Sequence, residues 1–327
     1  MASGPGQAVL GWVAGVLGSG PPEVVSGLRD GASPWLLRAG GREVVLRVGR
    51  PAIAHELATE AAALELAAGL GVSVPELLGS DDGRAAGVPV VLSARLPGSS
   101  QIPREPDPVR LAELGRQAAR LQGVALDPSP LLPARDRPIA PEDFAAMRRR
   151  QPPRELLAAA EETVARRARP CERPVLVHGD LWQGNVLWQG AAVTGLLDWD
   201  CAGAGDPGVD LGSLRCDAAL CYGPQAPAHV LRGWQEQAGR PAERVAYWDL
   251  VAALSSPPDM GWFPVSMALQ GRPDLDQPTM LAPGRLRPPG PGRAALSRAN
   301  RTVASARRAG RRRRCRQRAG RRPGAAR

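Results

Sequence analysis

Hydrophobic and polar positions along the chain fall into three regimes. The first apolar run, Ala8 to Gly18, spans about eleven residues and reads as one helix within residues 1–20. It is shorter than the roughly 18 residues a bilayer requires, and no cationic residue precedes it as in a signal peptide. The expectation is a buried amphipathic helix of a cytoplasmic protein. From Val24 to Val48 the pattern changes to short β-type runs, Trp35–Arg38 and Glu43–Val48, with Gly40-Gly41 between them as a hairpin turn. Ala52 to Leu70 is rich in Ala, Leu and Glu and stops at Gly69 and Gly71, which predicts a long helix. Val72–Pro75 leads into another strand, Asp81-Asp82-Gly83 turns, and Val88–Leu92 is a buried strand. The expectation for residues 1–95 is a small lobe of twisted antiparallel strands with one long helix.

Leu96–Ser100 reads as a linker. Asp107-Pro108 then opens a helix to about Gln122, with Asp as N-cap and Pro in the first turn. Helical patterns follow over Glu142–Arg150 and Arg154–Arg169. Between Pro174 and Leu197 three short strands (Val175–Val177, Asn185–Trp188, Val193–Leu197) alternate with polar loops. Helices resume over Pro207–Leu220, Pro227–Gln237 and Pro241–Leu254. Residues 96–280 thus read as a larger, mostly helical lobe interrupted by a short sheet that carries polar residues.

Charge divides the 327-residue chain differently. All 42 basic residues are arginine, so any site that needs a cation must use Arg. Sixteen of them lie in residues 281–327, where there is no acid; the preceding 280 residues hold 26 arginines against 32 acids, a net of about −6. The overall +10 therefore belongs to an Arg/Pro/Gly/Ala tail. That tail has too little apolar periodicity to offset the entropy of ordering, and it reads as disordered, with only non-specific attraction for nucleic acid. The five cysteines (Cys171, Cys201, Cys216, Cys221, Cys315) include no C-x-x-C pair and read as scattered thiols.

The chemistry-bearing segment runs from Val177 to Leu187 as Val-His-Gly-Asp-Leu-Trp-Gln-Gly-Asn-Val-Leu. Asp180 is followed five positions later by Asn185, and thirteen residues further on Asp198 stands at the end of a strand in Leu-Leu-Asp-Trp-Asp. Phosphoryl transfer requires such a set. One carboxylate must accept the proton of an attacking hydroxyl, and further oxygen ligands must hold Mg²⁺ against the phosphates. Protein kinases use a D-x₄-N catalytic loop followed by a strand-end Asp, and the same spacing stands here.

His178-Gly179-Asp180-x₄-Asn185-Val186-Leu187, then Leu197-Asp198-Trp199-Asp200, then Gly205-Asp206-Pro207-x₂-Asp210-Leu211 resembles the aminoglycoside phosphotransferase and choline-kinase-like family. The resemblance is concentrated in this stretch and extends more faintly over residues 5–280. It implies an α+β, bilobal protein-kinase-like fold, with an N-lobe (1–95) that binds nucleotide, a C-lobe (96–280) that holds catalysis and substrate, and the tail (281–327). It implies Asp180 as the base, Asn185 and Asp198 as magnesium ligands, and His178 and Asp210 as structural support for the loop. Asp206 is accounted for as a helix N-cap. Asp200 is open between an accessory role and plain exposure. Trp182, Trp188 and Trp199 flank the site and read first as packing, and Trp234 and Trp248 as core.

On the nucleotide side, kinase-like folds place a cation on the third strand, paired to a carboxylate on the next helix. Arg47 is the candidate cation and Glu60 its partner, with Glu56, one helical turn earlier, as the rival. Gly27–Ser33 sits where a phosphate-covering loop is expected, which brings in Ser33. Ser93 to Leu96, including Arg95, joins the lobes where the backbone would meet a purine edge.

The resulting expectation is an ATP- or GTP-dependent, Mg²⁺-requiring O-phosphotransferase acting on a small hydroxylated molecule, aminoglycosides and related antibiotics among them, with no membrane partner. The alternative is a non-catalytic nucleotide-binding or scaffold protein with a defective C-terminus. A polycationic aminoglycoside would need a carboxylate-lined cleft. Asp200, Asp217, Glu236, Asp249 and Asp259 fall in the corresponding lobe, and the sequence leaves open whether they converge.

Overall fold

A computed structural model describes residues 4–29, 32–123, 125–167 and 173–282. Helix α1 (Gln7–Leu17) leads into strands β1 (Glu23–Arg29), β2 (Ala32–Ala39) and β3 (Arg42–Val48). A single 3-10 turn precedes α2 (Ala54–Gly69), and β4 (Leu77–Asp82) and β5 (Pro89–Ala94) follow. These five strands form one antiparallel sheet in the order β1-β2-β3-β5-β4. The hairpin expected at Gly40-Gly41 is present, with both glycines at positive φ (59° and 77°) where a tight turn between twisted strands requires it.

Two apolar seams hold this sheet. Helix α1 buries Val9 and Val13 against Trp35, Leu37, Val44, Leu46 and Leu92, so its short apolar stripe is spent on the sheet. Helix α2 sets Leu57 and Ala61 against Val91, and sends Ala63, Leu64 and Ala67 into the larger core beyond. The helix is thus wedged between sheet and helical body, and this fixes the orientation of its Glu60 side chain.

The rest of the chain is mostly helical. Helix α3 (Pro108–Arg120) begins as expected, with the Asp107 carboxylate accepting from the N–H groups of Val109 and Arg110. Strand β6 (Ala134–Arg135) and helices α4 (Phe144–Arg149) and α5 (Glu155–Ala165) follow. Next come β7 (Val175–Val177), β8 (Val186–Gln189), β9 (Ala192–Leu196) and β10 (Gly203–Gly205). Helices α6 (Gly208–Tyr222), α7 (Pro227–Ala238), α8 (Val245–Leu254), α9 (Phe263–Leu269) and α10 (Gln277–Leu281) complete the described chain. One core joins α3, α6 and α7 through Leu111, Leu114, Leu211, Leu214, Val230 and Trp234. It also receives Leu176, Leu181, Val186, Leu196 and Trp199 from the polar-loop segment, so that segment is anchored from beneath.

This is the α+β architecture that the motifs imply. The sequence reading needs several corrections. The last long helix begins at Val245 rather than Pro241, because Arg244 takes the left-handed region (φ 50°) and interrupts the turn before it. Strands β6 and β10 and helices α9 and α10 were not anticipated. No helix among the described residues is long and apolar enough to cross a membrane. The expectations for residues 283–327, and for Asp30 and Gly31 in the first hairpin, lie outside the described residues.

Candidate active site

The loop from His178 to Asn185 begins where β7 ends, and its shape is set by hydrogen bonds that the sequence encodes at fixed points. Asp210, in the first turn of α6, accepts from the His178 N–H (2.8 Å) and the Gly179 N–H (2.9 Å). Gly179 has φ 81°, and a Cβ there would drive into the Cys201 carbonyl oxygen, so only glycine fits the turn. The fully buried His178 ring meets Trp199 at 4.4 Å between centroids. Burial lowers the imidazole pKa, so the ring is neutral. Its Nε2–H donates to the Leu197 carbonyl (2.9 Å), and its Nδ1 accepts from the Asp180 N–H (3.3 Å). Both ring nitrogens are engaged in shaping the loop. Asp206, at the head of α6, accepts from the Gly208 N–H at 2.8 Å, in keeping with a capping role.

The second chain segment of the site is locked to the first. Leu197 N–H donates to the Asn185 carbonyl at 2.8 Å, which brings the end of β9 beside the loop. Asp198 follows at φ 67°, a left-handed conformation that Asp tolerates better than most residues. The Asn185 amide nitrogen donates to the Asp180 carbonyl oxygen (2.9 Å) and to Asp180 Oδ2 (3.2 Å). With that nitrogen committed, Oδ1 is the Asn185 atom turned away from Asp180.

Arginine links this segment to the sheet. Arg47 on β3 places Nη1 2.8 Å from Asp198 Oδ1 and Nη2 3.0 Å from Asp200 Oδ2. Glu60 Oε2 stands 2.9 Å from Arg47 Nη1, an ion pair whose angles fall short of a hydrogen bond. Glu60, and not Glu56, is therefore the Arg47 partner. Asp200 is likewise an ion-pair partner of Arg47 rather than a solvent-exposed acid. A second cation, Arg29 at the end of β1, reaches Asp198 Oδ2 at 2.7 Å. In the sequence Arg29 is only one position of the Gly27–Ser33 loop string. No spacing rule connects it to Asp198, and the one available signal was that every cation in this chain must be Arg.

These charges separate the carboxylates. Burial would raise Asp198, but Arg47 and Arg29 overcome it and hold the group below the ordinary carboxylate range. Burial raises Asp180 well above that range, and Asp198 and Asp200 add to the effect. Burial also raises Glu60 against the opposing pull of Arg47. Arg47 itself is held above its ordinary value, because Glu60, Asp198 and Asp200 outweigh the burial that would lower it.

Part of this constellation opens onto a cleft of about 860 Å³. Arg47, Glu60, Asp180, Asn185 and Asp198 reach it, as do Ser93 and Arg95. The Arg95 guanidinium is ion-paired with Glu43, and the N–H groups of Ala94 and Arg95 bond to the Glu76 and Glu43 carbonyls. Ser33 is not among the lining residues; its hydroxyl accepts from the Val48 N–H at 2.9 Å, and its neighbour Pro34 lines the cleft instead. His178 and Asp210 lie beneath the surface. The five acids weighed for a polycation do not converge, and only Asp217 lines the cleft. Of the tryptophans, Trp188, Trp199, Trp234 and Trp248 are buried, while Trp182 reaches the cleft wall.

A model of the family described as phosphotransferase enzyme family matches residues 24–251. The viomycin phosphotransferase of Streptomyces vinaceus is 35% identical over 94 residues, which cover 27% of this chain and 31% of that protein. The matched stretch thus spans under a third of that curated relative. The solved structure of a macrolide 2′-phosphotransferase from Brachybacterium faecium superposes with a TM-score of 0.57 at 21% identity, covering 86% of this chain and 99% of that one. That of an aminoglycoside-3′-phosphotransferase of type VIII gives a TM-score of 0.52 at 24% identity, covering 76% of this chain and all (100%) of that one. The structural likenesses establish a shared fold.

Proposed function

Because the chain belongs to the phosphotransferase enzyme family, we propose that it transfers the γ-phosphoryl group of ATP or GTP to a hydroxyl of a small molecule, antibiotics among them. The observation that supports this reading is the meeting of Asp180, Asn185, Asp198 and Arg47 at one side of a single cleft, from segments far apart in sequence.

In this reading Asp180 is the general base. The substrate oxygen forms a bond to the γ-phosphorus, the bond from that phosphorus to the β–γ bridging oxygen breaks, and the hydroxyl proton passes to an Asp180 carboxylate oxygen. Burial and the neighbouring carboxylates raise the Asp180 pKa, which makes its ionised form the stronger base. Asn185 holds that carboxylate by its amide nitrogen. Arg47, kept charged by three carboxylates, is placed to meet nucleotide phosphates, and Glu60 orients it. The Ser93–Leu96 stretch would border the base.

The residues present fit a magnesium ion. Among the described residues no three His, Cys, Asp or Glu side chains gather into a self-contained metal cage. Mg²⁺ in nucleotide enzymes typically takes only one or two carboxylates and completes its shell with phosphates and water. Asp198, held ionised, and Asn185 Oδ1 are hard oxygen donors suited to that role. When bound, the ion would neutralise charge gathering on the phosphates. A reaction that consumes nucleoside triphosphate belongs to the cytoplasm, and we place the protein there.

The test is a coupled nucleotide-turnover screen with ATP and with GTP against a panel of hydroxylated antibiotics and metabolites, run beside Asp180→Asn. The variant is expected to lose at least about a hundredfold in turnover, as positioned bases contribute roughly 10²–10⁴-fold, with nucleotide affinity nearly unchanged. Retention of more than a tenth of wild-type turnover would remove Asp180 from the role.

A further inference from the structure

Across the cleft from the sheet, the wall is built from α6, α9 and the end of α8. Transferring a polycation from water into such a cleft requires a carboxylate for each charge, because an unpaired desolvated charge is prohibitively costly. The acids of this region are engaged elsewhere. Glu236 pairs with Arg116 (2.8 Å), Asp249 with the buried Arg215 (2.8 Å), and Asp259 accepts from Gln151 (3.1 Å). Besides Glu60, Asp180 and Asp198 of the site already described, two carboxylates line the cleft, Asp217 on this wall and Glu142 ahead of α4. Asp217 Oδ2 already accepts from the Gln183 side-chain amide (2.8 Å) and its backbone N–H (3.3 Å).

Around this acid the wall carries apolar surface and hydroxyls. Trp182, Phe263 and Leu269 line it, backed by the buried Leu220 and Met267. Leu269 and Trp262, both in the lining, are 61% and 45% exposed, so with Phe263 they give the wall apolar surface open to a ligand. The hydroxyls of Ser255 and Ser256 donate to the Val251 and Ala252 carbonyls, so toward the cleft they can only accept. Such a surface suits a molecule with a broad apolar face that presents a few hydroxyl donors.

We propose that this site takes an amphiphilic hydroxylated substrate, one with a broad apolar face and at most one positive charge, rather than a polycationic amino sugar. This rests on the phosphotransferase reading, but the two fail separately under direct binding.

Calorimetric titration of the full chain uses erythromycin as the amphiphile and kanamycin as the polycation, at low and high salt. Erythromycin should bind at least about tenfold tighter than kanamycin, with a Kd insensitive to salt, since screening weakens only charge pairing. Phe263→Ser should weaken erythromycin by about tenfold, the scale of losing a buried aromatic contact, and Phe263→Leu should recover most of it. Leu269→Ser, at an exposed position that cannot unfold the core, should weaken it by about threefold on the same area argument. Kanamycin binding as tight or tighter, no erythromycin binding, or unchanged affinity in both serine variants each overturn the proposal. Erythromycin binding without phosphate transfer to any acceptor overturns the phosphotransferase reading alone. Phosphate transfer onto kanamycin with high turnover overturns this inference alone.

Discussion

Arg47 and Glu60 form an ion pair of 2.9 Å that joins strand β3 to helix α2, and the same Arg47 nitrogen lies 2.8 Å from Asp198, just beyond the end of strand β9. Both members of the pair are largely buried, with side-chain exposures of 19% and 8%. Removing one member of a buried pair strands the other in a poorly solvating environment. Arg47→Ala should therefore act twice. It should weaken nucleotide binding or turnover by at least about tenfold, the equivalent of one lost charge-assisted contact of about 1.4 kcal/mol. It should also cost stability, on the order of 3 kcal/mol, by leaving Glu60 uncompensated. Arg47→Lys should recover part of the activity as a point charge, without the fork that engages two acids at once. Nucleotide titration and urea melts measure the two effects; Arg47→Ala kinetics equal to wild type would place the phosphate cation elsewhere.

Asp198 is the proposed ligand on which metal dependence turns. Activity should require Mg²⁺ or Mn²⁺ and vanish in excess chelator. Asp198→Asn is the cleaner substitution, because Asn also tolerates the left-handed backbone at φ 67° whereas Ala does not. The concentration of Mg²⁺ for half-maximal turnover should rise by at least about tenfold, since a charged oxygen ligand becomes a neutral one. Magnesium titrations of the two proteins that superimpose would refute the assignment.

Gly179 tests how tightly the loop is held. Its N–H donates to Asp210 at 2.9 Å, and its positive φ of 81° sets it against the Cys201 backbone. The obstruction is backbone and cannot rotate away. Gly179→Ala should displace the loop, costing on the order of 2–4 kcal/mol in strain and lost packing. Turnover should fall by more than nucleotide affinity, because Asp180 is the adjacent residue. A variant with wild-type melting and turnover would show that the loop has slack the structure does not suggest.

How legible all this was depends on the distance over which each feature is encoded. The Gly40-Gly41 hairpin, the Ala/Leu-rich α2 and the Asp107-capped α3 are local devices, and each was readable from a few neighbouring residues. Asp180, Asn185 and Asp198 stood out because their spacing is itself local. Strand β10, a bare Gly-Ala-Gly, carries no β-branched or aromatic residue, and its pairing with β6 and β7 exists only in the folded chain. Helix α9 has seven residues with Pro264 in its first turn, too short to show a period. The Arg29–Asp198 contact joins residues 169 apart, and the dispersal of Glu236, Asp249 and Asp259 to other partners is likewise tertiary. Choosing Glu60 over Glu56 needed the rotation of α2 against the sheet, which is set by packing on both of its sides.

Asp217 supplies a pH test independent of turnover. It lines the cleft with only 6% of its surface exposed, and Gln183, which donates to it, in turn accepts from the Tyr222 hydroxyl at 3.2 Å. Burial, opposed by these donors, pushes the Asp217 carboxyl up to about 6 from an ordinary 3.8. The folded state therefore holds a proton that the unfolded chain has released over this interval, and acidification favours folding. The contribution is fully present below about 3.8 and is lost as pH rises through about 6. Its full size is on the order of 3 kcal/mol, of which roughly 1 kcal/mol is recovered between roughly pH 7.5 and pH 5. Asp217→Asn keeps an oxygen that can accept from Gln183 but has no proton to gain. Other carboxylates titrate in both proteins and cancel in the comparison. Urea melts at the two pH values should then show the wild type gaining roughly 1 kcal/mol on the variant as pH falls. Parallel pH dependence in the two proteins would mean that Asp217 titrates as an ordinary solvated acid, and that the Gln183 network holds it without a burial penalty.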